Sequence, residues 1–371
     1  MQKRRLGRTN LMVSCIGLGG MGFMSKNYER DDFYRVINAA LDEGVNFIDT
    51  ARSYYDSENI IGQAIKGRRK DCFLATKTFL RSANTVKKEI IASLKNLKVE
   101  KIDLYQVHHI QYDYELERVL AEDGALSALK EAKKEGKIDY IGFSSHNPKV
   151  AIKCIQTDEF DTAQIPFNLI EREYIDGILK AANEYDVGII VMKPLAGGKL
   201  TNAELALRFI LSYNISVVIP GCSAVEQVKT NAEVGRDFIP LTEQEKEGVF
   251  KRLGNLEENF CRRCRYCEQA CPIKLPIPDI FRCEEHLLYN ATYARNEYRK
   301  FQNEFRKCID CGECGRICPY KLPVRKMLKK ANHRLTKGKI EDSTVNLLRR
   351  LNLYDWVRKI YFNLNLPLPK R

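Results

Sequence analysis

Apolar and polar positions along this chain switch repeatedly between two periods. Short apolar runs with the length of buried strands recur at 13–19, 45–49, 72–77, 102–107, 138–143, 161–165, 188–193 and 216–219. Between them lie helix-period segments, at 31–43, 57–66, 84–97, 124–135, 148–156, 171–185, 202–213 and 223–233. The stretch 84–97 shows the pattern well, with Val86, Ile90, Ile91, Leu94 and Leu97 along one face. Eight strands alternating with eight helices predict an α/β fold, a (β/α)8 TIM barrel. A doubly wound open sheet is the alternative. Residues 1–12 read as a short hairpin ahead of the barrel. The polar segment Leu241-Thr242-Glu243-Gln244-Glu245 leads into a helix ending near Asn255, where we place the domain boundary.

Beyond that boundary the pattern changes. Residues 277–306 read as mostly helix, and 336–371 as a basic amphipathic tail carrying Leu347, Leu351, Trp356 and Phe362 among arginines and lysines. The expected organisation is a barrel over 1–255, a small, mostly α-helical module over 256–335, and the tail over 336–371. Net charge sharpens the division. Residues 261–371 hold 25 Lys and Arg against 11 Asp and Glu, whereas the front of the chain is near neutral. A basic back half favours an acidic partner. No nucleic-acid recognition motif is visible, so we expect no nucleic-acid partner. No run suits a transmembrane segment, and the first residues lack the apolar core of a secretion signal. The expected location is cytoplasmic.

Cysteine usage divides in the same way. Of thirteen cysteines, eight form two runs, Cys261-x2-Cys264-x2-Cys267-x3-Cys271-Pro272 and Cys308-x2-Cys311-x2-Cys314-x3-Cys318-Pro319. Clustered cysteines in a cytosolic chain point to metal rather than disulfides. Each run matches the bacterial pattern for a [4Fe-4S] cluster, whose fourth cysteine ligates the other cluster. We assign Cys261, Cys264, Cys267 and Cys318 to one cluster and Cys308, Cys311, Cys314 and Cys271 to the other. Zinc is the competing metal, but the third cysteine and the Cys-Pro endings fit iron–sulfur better. The long spacer resembles helical ferredoxin modules appended to larger oxidoreductases.

In the barrel, polar residues stand where predicted strands end, the place where barrel enzymes keep their chemistry. Asp49 closes 45–49, Lys77 closes 72–77, and His108 follows 102–107, while Tyr54 lies five residues beyond Asp49. A phenol has a pKa of about 10 and is a poor proton donor at neutrality. A nearby ammonium favours the phenolate, and a carboxylate keeps that ammonium placed. A histidine beside them can hydrogen-bond a carbonyl oxygen.

These residues, in this order, resemble the aldo-keto reductase superfamily over about residues 3–235. The resemblance implies Tyr54 as general acid, tuned by Lys77, Asp49 and His108, and a nicotinamide across the barrel mouth. Gly142-Phe143-Ser144-Ser145-His146 and Gln164 resemble the segments that hold the carboxamide. Met192 stands where many relatives stack an aromatic ring. Pro220, Gly221, Ser223, Gln227 and Asn231 fall in the stretch that resembles the phosphate- and adenosine-binding loop. Gly17-Leu18-Gly19-Gly20-Met21-Gly22 is then the loop after strand one rather than a Rossmann signature.

The expected function is NAD(P)H-dependent reduction of an aldehyde or ketone, or the reverse alcohol oxidation, linked to electron transfer through two [4Fe-4S] clusters. NADP(H) and NAD(H) both remain open, and a flavin is admitted although no motif calls for one. The expected partners are a small carbonyl or alcohol and an acidic electron carrier such as a ferredoxin or flavodoxin. The alternative is an electron-transfer or redox-regulatory module whose barrel binds nicotinamide or flavin with little carbonyl turnover.

Overall fold

In a computed structural model of the chain, the described residues are 1–24, 29–172, 174–257, 259–263, 265–287 and 290–336. They divide into two compact units, one built from Met1–Met24 and Arg30–Gly254, the other from Glu29 and the described residues from Asn255 onward.

The first unit is a (β/α)8 barrel. Strands β1 (Lys3–Arg5) and β2 (Met12–Ser14) form an antiparallel hairpin. Eight parallel strands follow: β3 (Leu18–Gly19), β4 (Phe47–Asp49), β5 (Phe73–Thr78), β6 (Ile102–Val107), β7 (Ile138–Ser144), β8 (Thr162–Pro166), β9 (Gly188–Met192) and β10 (Val217–Val218). They are hydrogen-bonded in chain order. A parallel bridge between Ile16 and Val218 joins the first strand region to the last and closes the cylinder. The run 13–19, expected as one strand, is shared: its start pairs with the hairpin and only its end enters the barrel. The remaining strands lie close to their expected places.

The hairpin seals the N-terminal mouth. Leu6 and Val13 pack with Phe47, Ala75, Leu104, Ile190 and Val217 in one buried cluster. Leu6 comes so close that a Cβ on Gly188 would lie 2.7 Å from its backbone. With that end closed, only the C-terminal ends of the strands open to a ligand. Helix starts are set locally. Asn147 and Asn202 accept hydrogen bonds from Lys149 N and Leu205 N, capping Pro148–Gln156 and Ala203–Leu211. An additional helix, Asp113–Leu120, sits in the loop after β6, which sequence had left without structure.

The second unit contains helices Tyr266–Ala270, Ile277–His286, Ala291–Arg306, Glu313–Arg316 and Val324–Thr336. Leu275, Ile277, Ile280, Phe281, Tyr298, Leu322, Leu328 and Leu335 form its core. The Tyr298 hydroxyl donates to Asn332 Oδ1 at 2.6 Å, tying two of these helices together. The tail beyond Thr336 lies outside the described residues, as does Cys264. No helix among the described residues is long and apolar enough to cross a membrane.

Candidate functional site

Alternation along the barrel strands points polar side chains inward just below the open mouth. Asp49 ends β4 and Lys77 lies near the end of β5, and both are fully buried. Lys77 Nζ donates to Asp49 Oδ2 and to the Thr50 carbonyl, each at 2.6 Å. Gln106 Nε2 donates to Asp49 Oδ1 at 3.2 Å, and Gln164 also hydrogen-bonds this carboxylate. Burial pushes the Asp49 carboxyl up and the Lys77 ammonium down, and their contact opposes both shifts.

Tyr54 lies above this pair. Lys77 Nζ is 5.3 Å from the centre of its ring. His108 meets the ring edge-on at 5.8 Å and is stacked on Phe79 at 4.1 Å. The structure therefore brings all four residues singled out by sequence into one group. The loop carrying Tyr54 is an extension of the sheet, because Thr50 N donates to Ala75 O and Arg52 N to Lys77 O. Behind it, buried Glu58 receives Arg52 at 2.5 Å, Thr76 Oγ1 at 2.8 Å and Asn96 at 3.1 Å. This network holds the turn into the helix Ser57–Ala64, and hence the phenol, in place.

Gln164 is buried, and its Oε1 has no hydrogen-bond partner among the described residues. An unpaired buried acceptor at the mouth fits the amide N–H of a carboxamide. Gly142 leaves room for the side chains of Thr162 and Gln106, since a Cβ there would lie 2.2 Å from Thr162 Oγ1 and 3.1 Å from Gln106 Cγ. The two serines are engaged with backbone. Ser144 Oγ accepts from His109 N at 2.9 Å, and Ser145 Oγ donates to Ile110 O at 2.6 Å. Met192 is half-buried against the apolar cluster inside the barrel.

The stretch 219–231 turns into the helix Val225–Arg236. Pro220 O accepts from Gly19 N at 3.0 Å, and a Cβ on Gly221 would lie 3.7 Å from Gly19 O. Glycines at 19 and 221 thus serve the close approach of two loops. Ser223 N donates to Gln227 Oε1 at 2.8 Å. Asn231 is buried and donates to Cys222 Sγ, whose thiol burial pushes up to about 12.

Over the described residues, the two cysteine runs repeat the same left-handed backbone positions, displaced by 47 residues. Left-handed φ values occur at Arg263 and Arg265 in the first run and at Asp310 and Gly312 in the second. They recur at Lys274 and Lys321, three residues after Cys271 and Cys318. Paired left-handed turns curl each loop inward, as wrapping a cluster requires. Among the described residues, no three His, Cys, Asp or Glu converge on a single ion. A four-iron cube makes a different demand, taking each thiolate on its own iron. The Cys314 thiol is raised by burial and by the charges of Cys308, Cys311 and Cys271, so these four are neighbours. Cys261, Cys271, Cys314 and Cys318 pack against the core that contains Cys267.

Two family models match the chain. The aldo/keto reductase family model covers residues 15–205. The chain belongs to this family. A second model, a 4Fe-4S dicluster domain, matches residues 260–323. Oxidoreductase YqkF of Bacillus subtilis is 30% identical over 261 residues, covering 66% of this chain and 76% of its own. Oxidoreductase YrpG of the same organism is 33% identical over 234 residues, covering 55% and 70%. Among solved structures, the holo form of aldo-keto reductase AKR11C1 from Bacillus halodurans is 28% identical with a TM-score of 0.59, covering 68% of this chain and 96% of its own. An aldo/keto reductase from Klebsiella pneumoniae, solved with NADP and acetate, shares the fold at 23% identity and a TM-score of 0.59, covering 67% and 94%.

Sequence reading overlooked two residues around this aldo/keto reductase's candidate site, Gln106 and Arg81. Gln106 was recoverable, because Leu104, Gln106 and His108 alternate and so share a face. Arg81 was not. It is largely buried and donates to the carbonyls of His108 and His109 at 2.8 and 3.2 Å. Nothing in the local pattern distinguishes it from a surface arginine.

Proposed function

We propose that the barrel reduces an aldehyde or ketone to the alcohol with NADPH or NADH, and that Tyr54 is the general acid. A reduced nicotinamide supplies the hydride that reaches the carbonyl carbon. Tyr54 gives its proton to the carbonyl oxygen, and the Lys77 ammonium stabilises the phenolate left behind. Asp49, held by Gln106 and Gln164, keeps Lys77 charged and fixed. His108 donates a hydrogen bond to the carbonyl oxygen and orients it. The observation that carries this reading is the buried Asp49–Lys77 pair directly under the Tyr54 ring. Gln164 Oε1 is the group we assign to the carboxamide, with Ser144, Ser145 and Met192 around the nicotinamide. Pro220, Gly221, Ser223, Gln227 and Asn231 are assigned to the phosphate and adenosine end.

The second unit, which we take as residues 256–335, holds two [4Fe-4S] clusters in this reading. Cys261, Cys264, Cys267 and Cys318 carry one, and Cys308, Cys311, Cys314 and Cys271 the other. The nearness of Cys271 to the second run supports that exchange of fourth ligands. Such clusters supply one-electron chemistry and give the protein a route to an acidic electron carrier.

Replacing Tyr54 with Phe tests the central role. Carbonyl reduction should fall by about a thousandfold or more while nicotinamide binding, read by fluorescence titration, stays within about twofold. Turnover at the parent rate would reject Tyr54 as proton donor, whereas absence of turnover on any carbonyl by the parent protein would favour a binding module.

A further inference from the structure

The two cysteine loops repeat the same left-handed backbone positions but have opposite surroundings. In the first loop, Arg262, Arg263 and Arg265 are only 8%, 4% and 4% exposed, and Cys267 is buried. Arg263 pairs with Glu285 at 2.5 Å, and Arg265 pairs with Glu268 and Asp279. In the second loop, the residue equivalent to Arg262 is Ile309, which is 70% exposed. Cys308 and Cys311 beside it are exposed too. A single exposed aliphatic side chain is ordinary on a protein surface, but this one stands beside the exposed ligands of the second run, where a partner exchanging electrons would make contact.

The surroundings indicate the chemistry of such a partner. Arg325 lies against this loop: it pairs with Asp310, and its Cδ is 3.5 Å from where a Cβ on Gly312 would be. Lys329, one helical turn on, pairs with the same Asp310. The adjoining stripe of the helix Val324–Thr336 carries Lys326 and Lys330, both exposed. Neither forms an ion pair among the described residues, and neither does Lys307 beside Cys308. The two acids near the loop, Asp310 and Glu313, are already taken, the latter by Arg316. The result is an apolar point flanked by uncompensated positive charge.

We propose that this face is the docking site for a small acidic electron-carrier protein, and that electrons pass through the cluster of the second run. Ile309 is the apolar centre of the contact, and Lys307, Lys326 and Lys330 steer the carrier's carboxylates. The exchange moves one electron. The carrier is oxidised by one, the second-run centre is reduced by one, and no bond forms or breaks. The proposal rests on the reading that the cysteine runs hold clusters.

The test uses the full-length, cluster-loaded protein and an acidic bacterial-type ferredoxin reduced with dithionite. Cluster content is first verified by visible and electron paramagnetic spectra. Cluster reduction by the ferredoxin is then followed by anaerobic stopped flow across a salt series. Ile309→Asp should slow the second-order rate at least about tenfold, and Lys326→Glu with Lys330→Glu should do the same and flatten the salt dependence. Reduction by dithionite alone and NADPH-linked carbonyl turnover should be unchanged. Rates within twofold of the parent for both variants would overturn the docking site. Equal slowing by dithionite would also overturn it, because the substitutions would then act on the cluster itself. Absence of cluster spectra in the parent protein would instead reject the reading beneath.

Discussion

The buried Asp49–Lys77 pair makes a prediction in which two variants respond to pH in opposite directions. Replacing Asp49 with Asn leaves an ammonium that is fully buried and keeps only the Thr50 carbonyl and neutral amides. Replacing Lys77 with Met leaves a buried carboxyl held by Gln106 and Gln164 alone. Breaking a buried pair from one side typically costs about 3–5 kcal/mol. For a unit of this size, about 2–4 °C of Tm per kcal/mol turns that into a loss of roughly 6–20 °C. The slopes follow from burial. In Asp49→Asn, burial holds Lys77 below its unfolded value of about 10.4, so the unfolded chain binds more protons and stability rises with pH through that window. In Lys77→Met, burial holds Asp49 above its unfolded value of about 3.9, so the native state binds more protons. The stability this confers is full below that unfolded value and is lost as pH rises through the folded one. Replacing both residues together should recover most of the loss, since neither charge then remains buried. Scanning calorimetry of the full-length, cluster-loaded protein between about pH 5 and pH 10 reads all of this. Slopes of the same sign in the two single variants, or losses below about 1 kcal/mol, would refute the argument that each of these charges tolerates burial because the other is there.

Two further outcomes are expected. Gln164→Leu removes the buried acceptor at the mouth and should weaken nicotinamide binding by about tenfold, measured by fluorescence quenching; affinity at the parent value would remove Gln164 from the cofactor site. Cys318→Ala should abolish the spectroscopic signal of the first-run cluster and Cys271→Ala that of the second, and the reverse pattern would return each fourth ligand to its own run.

The alternating pattern of apolar runs and helix-period segments predicted a (β/α)8 barrel over an open sheet, because each strand buried on both sides and each one-faced helix leaves a local trace, and the Ile16–Val218 bridge decided the closure. The eight clustered cysteines were equally legible, since a cluster needs thiolates at short, fixed spacing within one curled loop. Asp49, Lys77 and His108 could be read because polar residues at strand ends are conspicuous against the apolar runs before them. Tertiary structure alone decided what these residues meet. Whether Lys77 lies under the Tyr54 ring, whether Arg81 braces the His108 carbonyl, and whether Gln164 keeps an unpaired oxygen all depend on contacts between strands far apart in the chain. The same holds for the two cysteine loops. Their spacing is identical, yet Arg262 is buried and Ile309 is exposed, because exposure is set by what packs against a loop and not by the loop's own residues.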